Sequence, residues 1–150
     1  MIPITKIQMV RDGTLKTSVR NVTDSAKAAQ IAADFIEVRI TDREQFVVLC
    51  LNAKNAVCQI NCVSVGTVNA SLVHPREVFK AAILANASAI IVAHNHPSGV
   101  PDPSAEDRKV TEGLAKAGAL LGIPLLDHVI VGIDLADNLC WYSFKDAGAI

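Results

Sequence analysis

Between Ala89 and Ala93 the chain reads AIIVA, five apolar residues without a polar break, and then passes directly into His94-Asn95-His96-Pro97-Ser98-Gly99. A short, wholly apolar run of this kind is what a strand buried on both faces of a sheet requires. Helix signals flank it. Pro75 fits the first turn of a helix running through Ala87, with Val78, Phe79, Ala82 and Ile83 on one face. Ser104-x-x-Asp107 is a capping-box variant that opens an apolar period through Leu121, with Gly122 as its stop. A buried strand between two helices places the chain among layered folds that contain both element types.

The remaining punctuation agrees. Thr23-Asp24-Ser25 is a helix N-cap cluster, followed by Ala26, Ala28, Ala29, Ile31, Ala32, Phe35 and Ile36 at helical spacing. Gln45–Leu51 and Val57–Val65 read as strands joined by a turn at Asn52-Ala53-Lys54-Asn55, and Leu125–Val131 and Leu139–Ser143 as the last two. Ile4–Val10 alternates loosely and predicts a first strand that turns at Arg11-Asp12-Gly13. Strands and helices alternate without a regular β-α-β repeat, so the class is α/β or α+β with a mixed sheet between helices. No repeat or linker divides residues 1–150, which read as one domain.

Composition narrows the function classes. The aromatics are Phe35, Phe46, Phe79, Trp141, Tyr142 and Phe144, so the core must be mostly Val, Ile, Leu and Ala. Fourteen basic against fifteen acidic side chains leave a net charge of -1, without the basic excess typical of a freestanding nucleic-acid binder. No window approaches the ~18 continuous apolar residues of a membrane span, and the N-terminus is not a signal segment, which predicts a cytoplasmic protein. Cys50, Cys58, Cys62 and Cys140 lie in apolar runs and predict buried, reduced thiols. Cys58-x3-Cys62 is a poor zinc pair, because a strand faces i with i+2 and no second cysteine pair follows.

The chemistry concentrates in residues 94–107, HNHPSGVPDPSAED. Residues two apart in extended backbone point to the same side, about 7 Å apart at the Cα, so His94 and His96 can converge on one ion. The seven residues from Pro97 to Pro103 give the chain room to turn back. Asp107 then falls three positions into the next helix, where its carboxylate can face the loop. Two imidazoles and a carboxylate, with water in a fourth position, are the open arrangement of a catalytic zinc site. Such an N2O set suits zinc first, with Mn, Fe and Co as alternatives. Each piece also has a plain structural reading: polar residues ending a strand, a helix cap, and Pro/Gly loop punctuation.

The pattern His94-x-His96-x7-Ser104-x2-Asp107 resembles the signature of JAMM (MPN+, JAB1-type) zinc metallopeptidases. HPREVFKAAILANASAIIVAHNHPSG, the following PS-x-x-D and LLDHVIVG resemble more narrowly its RadC-like branch, over roughly residues 23–148. The letters His-Asn-His also coincide with the name HNH nuclease. That name describes residues dispersed over a ββα-metal unit, and nothing like it surrounds residues 94–96. Longer RadC proteins carry an N-terminal helix-hairpin-helix region, so this chain resembles a short form. The resemblance implies a JAB/MPN (cytidine-deaminase-like) architecture with one Zn2+ held by His94, His96 and Asp107.

The same family requires a glutamate far upstream, ahead of an apolar strand. Glu44, which opens the Gln45–Leu51 run, matches it in position; Glu77, in the first turn of the helix after His74, competes. Without the resemblance the choice is open. The implied roles are Glu44 as the base that takes a proton from the activated water and returns it to the leaving amine, and Ser104 as the hydroxyl that stabilises the oxyanion. The implied partner is a peptide or protein substrate. Nucleic acid enters only through the DNA-repair label of RadC proteins, and the charge gives that no support. A zinc-dependent nuclease and a non-catalytic MPN scaffold are the other readings. Asp127-His128 is either a partner of the metal ligands or a substrate contact, or else a buried pair satisfied by its neighbours. His74 reads as a helix-opening residue, and Trp141 and Tyr142 as core and rim.

Overall fold

In the computed structural model β3 (Ala89–Asn95) is the central strand of a five-stranded sheet, and the described residues are 1–66 and 73–150. Around it in chain order lie α1 (Ser25–Ile36), β1 (Gln45–Leu51), β2 (Val57–Val65), α2 (Pro75–Leu84), α3 (Ala105–Leu121), β4 (Leu125–Ile133) and β5 (Leu139–Ser143). The strand order is β2-β1-β3-β4-β5. Only the β3–β4 pair is parallel among these, joined by α3 as the crossover, so the sheet is mixed as the sequence predicts.

Period-two alternation divides the sheet into two cores. Phe46, Val48, Cys50, Ile90 and Val92 pack on one face with Val78, Phe79 and Ala82 of α2 and Val110 and Leu114 of α3. Val47, Leu49, Leu51, Ile91, Ala93, Val129 and Val131 pack on the other with Ala28, Ala29, Ile31, Ala32 and Ile36 of α1. Every residue of β3 is buried, and α1 reaches the sheet closely because alanines line its inner face.

The helix ends follow capping chemistry. Asp24 accepts the Lys27 N–H at 2.9 Å ahead of α1. His74 Nδ1 accepts the Arg76 N–H at 3.2 Å ahead of Pro75, the helix-opening role predicted for it. Ser104 and Asp107 complete both halves of a capping box, and Gly122 closes α3 in the left-handed region at φ 70°.

Four expectations are corrected. Ile4–Val10 forms no strand, and Ile4, Ile7 and Val10 are exposed: alternation cannot make a strand without an edge to pair with or a core to face. α2 ends at Leu84 rather than Ala87, because Asn86 turns left-handed at φ 49° and releases the chain toward β3. β3 continues two residues past Ala93, drawing His94 and Asn95 into the sheet. The cysteines are free, but only Cys50 is buried and Cys58 is exposed, because β2 is an edge strand with one face open. Among the described residues no helix is long and apolar enough to cross a membrane.

The loop after β3 is seated on the end of β4. His96 N–H donates to the Val131 carbonyl at 3.0 Å, and Gly99, at φ 85°, lies against Gly132. A Cβ on Gly132 would stand 2.5 Å from the Gly99 carbonyl oxygen. Gly132→Ala is therefore expected to destabilise the fold by about 1–3 kcal/mol, as overpacking does. Thermal unfolding checks this against Gly113→Ala in α3, where an added Cβ meets nothing within 4 Å and the melting temperature should hold or rise.

Candidate metal centre

At the C-terminal end of β3 the structure brings His94, His96 and Asp107 together as a group able to hold a metal ion. His94 and Asp107 are buried and His96 is half-buried. His94 Nε2 lies 3.1 Å from His96 Nε2 and 3.2 Å from Asp107 Oδ1, and His96 Nε2 lies 3.4 Å from Asp107 Oδ2. Ligand atoms bound to one tetrahedral zinc at about 2.0–2.1 Å stand about 3.3–3.4 Å from each other, so the spacing suits such an ion.

The capping box and the ligand geometry share one carboxylate. Asp107 Oδ2 accepts the Ser104 N–H at 2.8 Å, and Ser104 Oγ accepts the Asp107 N–H at 3.1 Å. These bonds orient Asp107 toward the histidines without consuming Oδ1. Ser104 is exposed, and the cap uses its oxygen as an acceptor, which leaves its hydroxyl proton able to donate.

Charge distribution follows the same contacts. Burial pushes the Asp107 carboxyl up, but His94, His96 and the Ser104 N–H outweigh it and hold Asp107 well below the usual carboxylate range. His96 is raised above 6.5, chiefly by its contact with Asp107 and against its own burial, with the Val100 carbonyl and Glu44 adding to the effect.

Glu44 stands half-buried immediately before β1, and its carboxylate acts on His96 through space. Asn95 holds that segment from both sides: its Oδ1 accepts the Gln45 N–H at 2.8 Å, and its Nδ2 donates to the Arg43 carbonyl at 2.9 Å. The middle residue of His94-Asn95-His96 thus locates the backbone that carries Glu44. Glu77 sits elsewhere in its contacts, paired with Lys80 at 2.7 Å on α2, and that ammonium keeps its carboxyl low.

Strand alternation splits Asp127 from His128. Asp127 is buried and accepts from the His128 N–H at 2.7 Å, the Ser143 hydroxyl at 2.7 Å and the Lys145 N–H at 3.1 Å, tying β4 to the end of β5. Burial raises its carboxyl nonetheless. His128 points to the opposite face, where its Nε2 lies 2.9 Å from His94 Nδ1 and its Nδ1 lies 2.6 Å from Thr111 Oγ1. Full burial, and then the neighbouring His94, push His128 well below the ordinary imidazole range. Neither Thr111 nor Asn95 stands out in the sequence. The only local signal for Thr111 is its place four residues, one helical turn, beyond Asp107.

A His-x-His at the end of a central strand, its first ring buried and its second half-buried, faced by the aspartate of a helix cap in a mixed α/β fold, defines a domain built around a candidate mononuclear metal site. The sequence model of the RadC-like JAB domain matches residues 6–149, and the chain belongs to that family. It is 60% identical over 109 residues to a UPF0758 protein of Rubrobacter xylanophilus, covering 73% of this chain and 45% of that protein. It is 46% identical over 129 residues to a UPF0758 protein of Chlorobium phaeovibrioides, covering 85% and 56%. The chain spans about half the length of these curated relatives. Their names state no activity.

Because protonated His96 cannot ligate, metal uptake must displace the proton that Asp107 helps it keep. Affinity for a divalent ion is therefore expected to fall as pH drops through the His96 titration, which the contact with Asp107 moves above the ordinary imidazole value, and to level off on the alkaline side. Competition with a chromophoric chelator between pH 6 and pH 8 measures this.

Proposed function

We propose that this domain is a zinc-dependent hydrolase of the JAMM metallopeptidase type, cleaving a peptide or isopeptide bond in a peptide or protein substrate. The observation that carries this reading is the convergence of two imidazole nitrogens and a carboxylate at 3.1–3.4 Å in a largely buried pocket. Acceptor atoms so close together repel unless a cation or proton stands among them, and the spacing suits one zinc per chain.

His94, His96 and Asp107 would hold the ion. Bound zinc supplies a Lewis acid that polarises a carbonyl and lowers the pKa of a water toward ~7. Glu44 is the base: it takes the proton from the attacking water and returns it to the leaving amine. Its electrostatic reach to His96, on backbone held by Asn95, supports this role over Glu77, which lies on α2 paired with Lys80 and has no such influence on the ligand histidines. Ser104 donates its hydroxyl proton to the oxyanion developing on the substrate carbonyl. The near-neutral charge balance gives nucleic acid no support as the substrate.

Elemental analysis should find about one zinc per wild-type chain, lost in His96→Ala and in Asp107→Ala with far-UV circular dichroism preserved. Glu44→Gln should keep the zinc and lower cleavage of a quenched-fluorescent peptide library by about 10²–10⁴-fold, the worth of a general base. Glu77→Gln should leave cleavage unchanged. Full activity in Glu44→Gln would remove Glu44 from the mechanism. Steeply salt-dependent DNA binding without peptide cleavage would replace the peptidase reading with a nucleic-acid one.

A further inference from the structure

We propose that Thr111 and His128 are positioning residues that set the tautomer of His94, so that its Nε2 lone pair faces the ligand site before any metal arrives. The purpose of this arrangement rests on the metal reading above; its direction rests on hydrogen-bond geometry alone.

The chain of bonds begins on the backbone of Asp107. The Thr111 hydroxyl donates to the Asp107 main-chain carbonyl at 2.7 Å. A hydroxyl has one proton to give, so Thr111 Oγ1 can meet His128 Nδ1, 2.6 Å away, only by accepting. His128 is fully buried, stacked on Phe144 at 4.9 Å with the edge of Phe46 at 5.5 Å, and these rings keep it from turning over. A neutral imidazole carries a single N–H. With that proton on Nδ1, His128 Nε2 is an acceptor. His94 Nδ1, at 2.9 Å, must then be the donor. Its own single proton is thereby committed away from the site, and His94 Nε2 is left bare toward His96 and Asp107.

His96 reaches the same state by a separate route. Its Nδ1 lies 2.9 Å from the Val100 carbonyl, which can only accept, so the Nδ1 donates and Nε2 is the nitrogen turned to the site, bare when His96 is neutral and carrying the proton that metal uptake would displace when it is not. Two independent constraints therefore present the same ring atom of both histidines. Asp107 stands at both ends of the first, its main-chain carbonyl accepting from Thr111 at the far end and its carboxylate lying 3.2 Å from the bare His94 Nε2 across the ligand site. Ligating histidines are commonly fixed by a partner on the second ring nitrogen, and removing such a partner typically weakens metal binding by about 10–100-fold. Here the partner of His94 is another imidazole, whose own direction is decided one step further out by a threonine on α3.

Two-bond 1H–15N correlation spectra of 15N-labelled protein read ring tautomers directly, and four histidines are few enough to assign by single substitution. In the metal-free wild type, His94 and His128 should be Nδ1–H tautomers, and so should His96 once its Nε2 proton has been titrated away. In Thr111→Val the acceptor for His128 Nδ1–H is gone. His128 should then move its proton to Nε2 and present it to His94 Nδ1, and zinc affinity by chelator competition should fall about 10–100-fold. Thr111→Ser keeps the hydroxyl and should restore both the wild-type tautomers and the affinity to within about threefold. An Nε2–H tautomer at His94 in the metal-free wild type would overturn the proposal even if zinc binds. So would a Thr111→Val protein with unchanged spectra and affinity. Should the wild type show the assigned tautomers and yet take up no zinc, the direction of the chain stands and the metallohydrolase reading falls.

Discussion

A histidine with no exposure to solvent has two ring nitrogens to satisfy and no bulk water to satisfy them with. His94 is in that position at the end of the central strand, and much of the surrounding architecture answers its demand. On one side the ring meets His128, which needs Thr111, which needs a carbonyl of α3. On the other it meets His96 and Asp107. β4 must pair in parallel with β3 to bring His128 alongside, and α3 must make the crossover to bring Thr111 and Asp107 over the same face. A buried polar cluster of this kind is tolerated only when its members are satisfied. Every buried side-chain nitrogen and oxygen among the described residues has a polar partner within reach, and for His94 Nε2 that partner is His96 Nε2, whose proton or a bound ion would fill the gap.

The two faces of the sheet do different work at this end. On the face covered by α2 and α3, alternation turns Phe46, His94 and His128 inward as a ring cluster, with Phe46 stacked on His94 at 5.8 Å. Asn95, one residue on, points away from that cluster and reaches the backbone at residues 43 and 45. The same strand end that supplies a candidate ligand thus also locates a candidate base. Beyond it, the close approach of Gly99 and Gly132 seats the loop on the end of β4, and the Val100 carbonyl of that loop orients His96. Site and scaffold are not separable here, because caps, strand ends and ligands are the same residues.

Local patterns in the chain were legible where one element carries the whole signal. The wholly apolar AIIVA run does become the central strand, and Ser104-x-x-Asp107 does form both halves of a capping box. The Thr23-Asp24-Ser25 cluster and Gly122 mark helix ends as read. The misreadings share a cause: Ile4–Val10 has a strand's alternation without a partner, and the cysteines of β2 have apolar neighbours without a covered face. Pattern reports what a segment could bury. Whether anything is there to bury it against is a property of the assembled sheet.

The site divides along the same line. His94, His96, Ser104 and Asp107 lie within fourteen residues, and strand and helix geometry alone bring them within reach of each other, so their grouping was determined by sequence. Glu44 was legible only through family resemblance, since fifty residues separate it from His94 and no local spacing relates them. The contact of His128 with Thr111 spans seventeen positions, and the hold of Asn95 on residues 43 and 45 about fifty. Those contacts exist because parallel β3–β4 pairing and antiparallel β1–β3 pairing set particular registers. The chain by itself determined which atoms could ligate a metal. Which ring nitrogen faces the site was decided by the tertiary structure, because a proton's place on a buried imidazole depends on the partner that packing puts beside it.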